Sequence, residues 1–196
     1  MTTPETTSKN GECTIEVQHF KRLMAQLTGA VTVITTCDKE GHPWGFTATS
    51  FCSLSLNPPL VLCCLNQDAE CYEAFVKGHG FAINLLSAQQ RHLSDRFATK
   101  GRMKYQMTHF TQGQTGLPLL PGALVTMECK LQQIYSGGDH SILIGLVQHG
   151  VLTEESPALR PLLHYARTYG TFADFPAAED VLSQRRPRRL FSSLLQ

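Results

Sequence analysis

Residues 44–59 read WGFTATSFCSLSLNPP. Gly45, Thr47, Thr49, Ser50, Ser53 and Ser55 fall within eleven positions of it, and the segment carries no charged side chain. A solvated loop with so many hydroxyls would normally carry charge. Small side chains let a backbone come close to a flat or phosphorylated ligand, and hydroxyls with free amides can hydrogen-bond it. On composition alone, the plainer reading is a Ser/Thr-rich strand with its turn.

Upstream, the β-branched run from Ala30 to Thr36 predicts a strand, and Asp38 to Gly41 supplies turn chemistry for a hairpin into a strand starting near Trp44. Phe20, Met24 and Leu27 recur at helical spacing, with Thr14 as a cap and Gly29 as a stop. Downstream, Leu60 to Leu65 is continuously apolar between Pro59 and Asn66, as expected of a strand buried on both faces. Asp68 is placed to cap a short helix with Tyr72, Phe75 and Val76 inward, ended by Gly78. Phe81 to Leu86 reads as a strand, and Ser87 with Gln90 forms a capping box for a helix through Ala98 whose inner side carries Leu93 and Phe97. Val125, Met127, Cys129 and Leu131 alternate with polar residues, marking a half-exposed antiparallel strand. Ser136 to Asp139 makes the turn, Ile142 to Val147 the return strand, and Leu162 to Ala166 a last one. Many short strands with three helices predict a mainly β protein, a β-barrel with peripheral helices.

The chain of 196 residues suits one domain, read here as residues 14–172 between an unstructured arm (1–13) and a tail (173–196). Leu190, Phe191, Leu194 and Leu195 in that tail are candidates for docking on a neighbour. A net charge of +1 argues against a general nucleic-acid binder, and Arg185, Arg186, Arg188 and Arg189 read as a solvated tail. Seven cysteines without a CxxC pair, and a polar N-terminus without a signal peptide, point to a reducing cytoplasm. No apolar stretch reaches the roughly 20 residues needed to cross a bilayer. GxGxxG, GxxxxGK[ST] and GxSxG are missing, which excludes a Rossmann dinucleotide site, a P-loop and a serine-hydrolase elbow, and eight scattered histidines without HxxxH or HExxH argue against a histidine-based metal site.

The block from Gly29 to Asn66 resembles the opening of the short flavin reductase family: a strand, a Gly-x-Pro-x-Gly turn (41–45), Thr-Ala-x-Ser (47–50), and Ser-Leu-x-Pro-Pro (55–59) before a buried strand. FAINLLSAQQRHLSDRFA from Phe81, GGDHSILIGLV from Gly137 and PLLHYARTYGTF from Pro161 follow in the family's order. The resemblance implies an FMN-binding split barrel and an NAD(P)H:flavin oxidoreductase. Its flavin would be FAD or FMN, its reductant NADH more readily than NADPH, and its product reduced flavin for a separate monooxygenase. It also implies a homodimer. Hydride transfer between two cofactors asks little acid–base chemistry of the protein, so no catalytic side chain is expected.

By the same resemblance Gly45, Thr47, Ala48, Thr49 and Ser50 line the flavin ring and ribityl chain, with backbone amides donating to the ring. Ser55, Asn66 and the strand from Phe81 to Asn84 complete the pocket. Arg102 and Lys104 follow the capped helix in a loop begun by Gly101, and are candidate phosphate contacts, although such side chains are ordinarily just solvated. His140 would orient the nicotinamide carboxamide, and Tyr165, Arg167 and Tyr169 would approach the pyridine nucleotide, Arg167 through its planar donor fork. For each of these the ordinary alternative is a turn residue, a partly buried histidine or aromatic packing. Two rivals stay open: an oxidase on the same kind of barrel that retains FMN, as in the pyridoxamine-phosphate-oxidase-like group, and a non-enzymatic flavin- or haem-binding module.

Overall fold

Seven strands form one antiparallel sheet whose two outermost members are neighbours in sequence. The computed structural model describes residues 7–9, 12–153 and 159–174. In chain order these form β1 (Thr7–Lys9), β2 (Glu12–Thr14), α1 (Val17–Met24), β3 (Gly29–Ala30), β4 (Thr32–Cys37), β5 (Pro43–Ala48), β6 (Phe51–Leu56), β7 (Pro59–Asn66) and α2 (Tyr72–Lys77). Next come β8 (Gly80–Leu85), a 3-10 turn (Ala88–Gln90), α3 (Arg91–Phe97), α4 (Met103–Gln106), β9 (Thr111–Gln112), β10 (Pro118–Leu119), β11 (Val125–Gly137), β12 (His140–Leu152), β13 (Leu162–Tyr165) and β14 (Thr168–Thr171).

The main sheet runs β5-β4-β8-β11-β12-β7-β6. Its edges β5 and β6 are joined only by Thr49 and Ser50, so the sheet must curl until they meet there. No ladder joins β5 to β6 among the described residues, which leaves the barrel split along that seam.

β4 explains how the layers are held. Its successive residues Val33 and Ile34 are both fully buried but belong to different clusters, as a period of two requires. Ile34 packs with Val61, Phe75, Phe81 and Leu143, while Val33 packs with Leu93, Phe97, Tyr105 and Leu120 beneath α3. Its buried threonines are satisfied by carbonyls: Thr32 donates to Ala48 (2.9 Å), Thr35 to Pro118 (2.5 Å) and Thr36 to Gly80 (2.7 Å).

Several expectations are corrected. β7 is not buried on both faces; Val61, Cys63 and Leu65 are buried while Leu60, Leu62 and Cys64 are half-exposed, because one face looks away from the core. β11 and β12 are each 13 residues long, extended by register shifts at Glu128/Cys129 and Leu131/Gln133 that a strict alternation does not foresee. Glu16, not Thr14, caps α1, its carboxylate accepting from the amides of Gln18 (2.8 Å) and His19 (2.9 Å). Asp68 does not cap α2, whose N-cap is Cys71. α4 and β14 were not foreseen, and β1 pairs with β2 where an unstructured arm was expected. The capping box holds: the Ser87 amide donates to Gln90 Oε1 at 3.1 Å. The residues of the tail beyond 174, including Leu190, Phe191, Leu194 and Leu195, lie outside the described residues.

Glu128 is buried on β11 and accepts from the amides of Gln114 (2.9 Å) and Thr115 (2.7 Å) and from the Thr115 hydroxyl. Burial pushes its carboxyl up, but the Thr115 hydroxyl and the two amides more than offset this and hold it below its ordinary value. A depressed folded value contributes stability above the unfolded pKa, lost as pH falls through the folded one. Glu128→Ala should therefore cost about 2–3 kcal/mol at neutral pH, by urea unfolding, and flatten the loss of stability on acidification. A variant as stable as wild type with the same acid profile would refute this.

Candidate functional site

The seam between β5 and β6 opens into a cavity of about 400 Å³. One wall is Gly45 to Ser50, and the facing wall is Cys64 to Asn66 on β7. Ala69 to Cys71, Phe97 to Lys100, Lys104 of α4 and His140, the first residue of β12, complete its lining. The seam makes this hollow because Thr49 and Ser50 lie outside both strands, so their amides make no ladder bonds.

Each wall is fixed by specific bonds. Ser50 Oγ donates to the Cys64 carbonyl (3.2 Å) and accepts from the Cys64 amide (3.3 Å), clamping the connection to β7. Thr47 Oγ1 donates to the Ser94 carbonyl at 2.7 Å, tying the wall to α3. Thr49 packs its Cβ over Gly29, where a side-chain carbon would come to 2.9 Å. Burial pushes the Cys71 thiol up to about 11, so it is a neutral wall rather than a nucleophile.

Lys104 is the electrostatic feature of the cavity. It is 8% exposed, its Nζ donates to the Thr99 carbonyl at 2.5 Å, and it has no carboxylate partner among the described residues. A buried ammonium without a counter-charge calls for an anion. Lys100 stands on the same wall. Also on the lining, His140 Nδ1 lies 2.7 Å from Asp139 Oδ1, and this hydrogen bond holds the Asp139 carboxyl below its ordinary value. Asp139 follows Gly138, whose φ of +74° suits the tight turn, and His140 pairs across the sheet with Asn66. With Nδ1 engaged, Nε2 is left for a ligand. Small walls, unladdered amides and an unpaired buried lysine together fit a planar ring carrying a phosphate.

The family model of the flavin reductase like domain matches residues 24–173. The chain belongs to this family. Among the flavin reductase's relatives, the reductase subunit HsaB of the flavin-dependent monooxygenase of Rhodococcus jostii is 35% identical over 156 residues, covering 79% of this chain and 77% of that protein. The NADH:riboflavin 5′-phosphate oxidoreductase of Streptomyces pristinaespiralis is 36% identical over 155 residues, covering 79% and 87%. The NADH:FAD oxidoreductase of Streptomyces globisporus C-1027, solved with NAD and FAD fragments, superposes with a TM-score of 0.74 at 32% identity, over 82% of this chain and 94% of that one. The split barrel expected from the sequence is the fold of this protein.

Within that frame, Gly45, Thr47, Ala48, Thr49, Ser50, Asn66, Lys104 and His140 are brought together on one cavity. Other expected site residues are not. Ser55 lies further along β6, past a register shift. Phe81 is buried in the barrel core. Asn84 spends its amide on the Val33 carbonyl (2.9 Å) and Thr35 Oγ1 (3.1 Å) and its oxygen on the Leu120 amide (2.8 Å). Arg102 lies over the Trp44 ring, 4.8 Å from its centroid. Tyr165 donates to Gln26 Oε1 (3.0 Å), and the Tyr169 hydroxyl meets Ser94 Oγ (2.9 Å), so both hydroxyls serve the fold. Arg167 is exposed at the tip of the β13–β14 turn with φ of 64°. Phe46, Cys64, Leu65, Ala69 to Cys71 and Phe97 to Lys100 were not foreseen. Lys100, directly before Gly101 at the end of the capped helix, was the one carrying a sequence signal.

Proposed function

We propose that this protein is an NADH:flavin oxidoreductase that reduces FAD or FMN and releases it to a separate monooxygenase. The observation that carries the reading is the cavity at the barrel seam, walled by small residues and lined by both His140 and the buried Lys104, which has no carboxylate partner among the described residues. Bound there, a flavin ring supplies the hydride-accepting chemistry. Thr47 to Ser50 bring their backbone against it, Lys104 and Lys100 hold its phosphate, and Phe46 and Leu65 keep water from its edge. His140 Nε2 orients the carboxamide of the nicotinamide laid on the open side, and Arg167 supplies a charge for that nucleotide's pyrophosphate. The retained-FMN oxidase and the non-enzymatic module are not favoured, since the relatives are named as reductases that use NADH.

The same reading takes the active form as a homodimer, which the helix α1, with none of its residues buried, supports. The six described cysteines are all free thiols, which supports a reducing cytoplasm. No described helix is long and apolar enough to cross a membrane.

Mixing the protein with NADH and added flavin tests the reading: NADH absorbance should fall at a rate set by the flavin concentration. A tightly yellow protein that does not oxidise NADH would overturn it. Within the same assay, His140→Ala should raise KM for NADH roughly five-fold, the equivalent of one orienting hydrogen bond of about 1 kcal/mol, and leave flavin binding nearly unchanged. Weakened flavin binding with unaltered NADH dependence would reverse that assignment.

A further inference from the structure

A second cleft, of about 550 Å³, lies between the β4–β5 turn and α2. Trp44 and Ala74, both half-buried, form its apolar wall, and the Trp44 ring is held in place by its Nε1, which donates to Asp38 Oδ2 at 2.9 Å. Asp38, Glu40, Glu70 and Glu73 edge the cleft against two lysines, Lys39 and Lys77, and Lys77 is already paired with Glu73. Glu40 and Glu70 have no ion pair among the described residues. The cleft therefore presents an apolar floor inside an excess of negative charge, which suits a cationic segment with an apolar end.

The sequence carries such a segment. Arg185, Arg186, Arg188 and Arg189 crowd around Pro187, Leu190 and Phe191 follow directly, and no acidic residue comes after Asp180. We propose that residues 185–191, RRPRRLF, dock in this cleft of their own molecule, the guanidinium forks on the carboxylates and Leu190 and Phe191 towards Trp44 and Ala74. Charge is the first argument: planar arginine donors match carboxylates two bonds at a time, and this is the densest run of them in the chain. Reach is the second. Thr171 pairs with Leu162, the Leu162 carbonyl accepts the Val31 amide at 2.9 Å, and β4 leads from there to Cys37 on the cleft wall. Two strand spacings and the length of β4 put Cys37 within roughly 30 Å of Thr171. The chain from Thr171 to Arg185 can span about 46 Å, so the segment reaches without leaving its molecule. Tethered in this way it stands at an effective concentration on the order of millimolar, which populates a contact whose single ion pairs are weak.

Trp44 is the only tryptophan of the chain, so its quenching by acrylamide reads the cleft directly. In the full chain carrying Arg185→Glu, Arg186→Glu, Arg188→Glu and Arg189→Glu, the Stern–Volmer constant should rise about two-fold over wild type, the change expected when a segment at millimolar effective concentration is released. Salt at about 0.5 M should bring wild type up to that variant and leave the variant where it is. Glu40→Lys with Glu73→Lys, both at exposed positions, should likewise open Trp44 to the quencher. Combining these two with the four tail substitutions reverses both charges and should restore the shielding. Equal quenching of wild type and the tail variant would overturn the proposal. So would a combined variant as open as its parents, which would place the arginines elsewhere. Shielding that disappears on dilution would also overturn it, giving the cleft to a second copy of the chain.

Discussion

Ser50→Leu is expected to raise KM for flavin at least ~10-fold, a loss of about 1.4 kcal/mol of binding, while the protein stays folded. Two effects add. The larger side chain occupies the space that a serine leaves between the seam and the ligand, and the paired hydrogen bonds to the Cys64 backbone are lost. Thr49→Leu should act in the same direction through space alone, since its Cβ keeps its seat over Gly29. Gly29→Ala approaches the same wall from behind: its new Cβ would meet Thr49 Cβ at 2.9 Å and push the segment into the cavity. Thermal melts alongside the kinetics separate blocked binding from unfolding. Normal flavin kinetics in both leucine variants would place the ring elsewhere.

Charging the exposed face of α1 is expected to have the other large effect. Phe20 is 53% exposed and Leu23 51%, and Ile15, Val17, Met24 and Leu27 extend the same apolar surface. Beyond Lys130, β11 also loses its neighbour β8 and runs on as an edge with Ile134 and Tyr135 exposed. An apolar helix face and an open strand edge on one small protein are features that symmetric pairing covers. Phe20→Asp together with Leu23→Asp should convert a dimer into a monomer by light scattering, each central apolar anchor contributing about 2 kcal/mol. Activity should fall with it, because the C-terminal end of α1 holds the β13–β14 hairpin: the Ala25 carbonyl accepts from the Ala166 amide at 2.8 Å. A wild-type protein that is a stable, fully active monomer at micromolar concentration would defeat this.

Most of the strands and turns along the chain were legible because the sequence signals are local. The β-branched run at 30–36, the Asp38–Gly41 turn, the Ser87–Gln90 box and the Gly138–Asp139 turn each specify a backbone conformation over a few residues, and the structure has each of them, the run as β4 over Thr32–Cys37. The hydroxyl-rich segment 47–50 could likewise be singled out, since composition without charge is visible in one dimension. The long reach of β11 and β12 was not, because bulges break the alternation that marks a strand. Nor was the β13–β14 turn, whose Ala166 and Arg167 both adopt positive φ without a glycine or asparagine to announce it.

The sequence by itself determined that the chain is a mainly β protein with a small-residue segment built for close approach, and its motifs placed it in its family. Only the tertiary structure decided which of the candidate residues share a site. Asn84 and Lys104 are both polar residues in plausible positions, yet one is consumed by three bonds inside the sheet and the other is buried at the cavity with no carboxylate partner among the described residues. That difference depends on β4, β10 and α4 meeting across long stretches of chain, where burial and partner geometry, not residue type, set what a polar group is free to do.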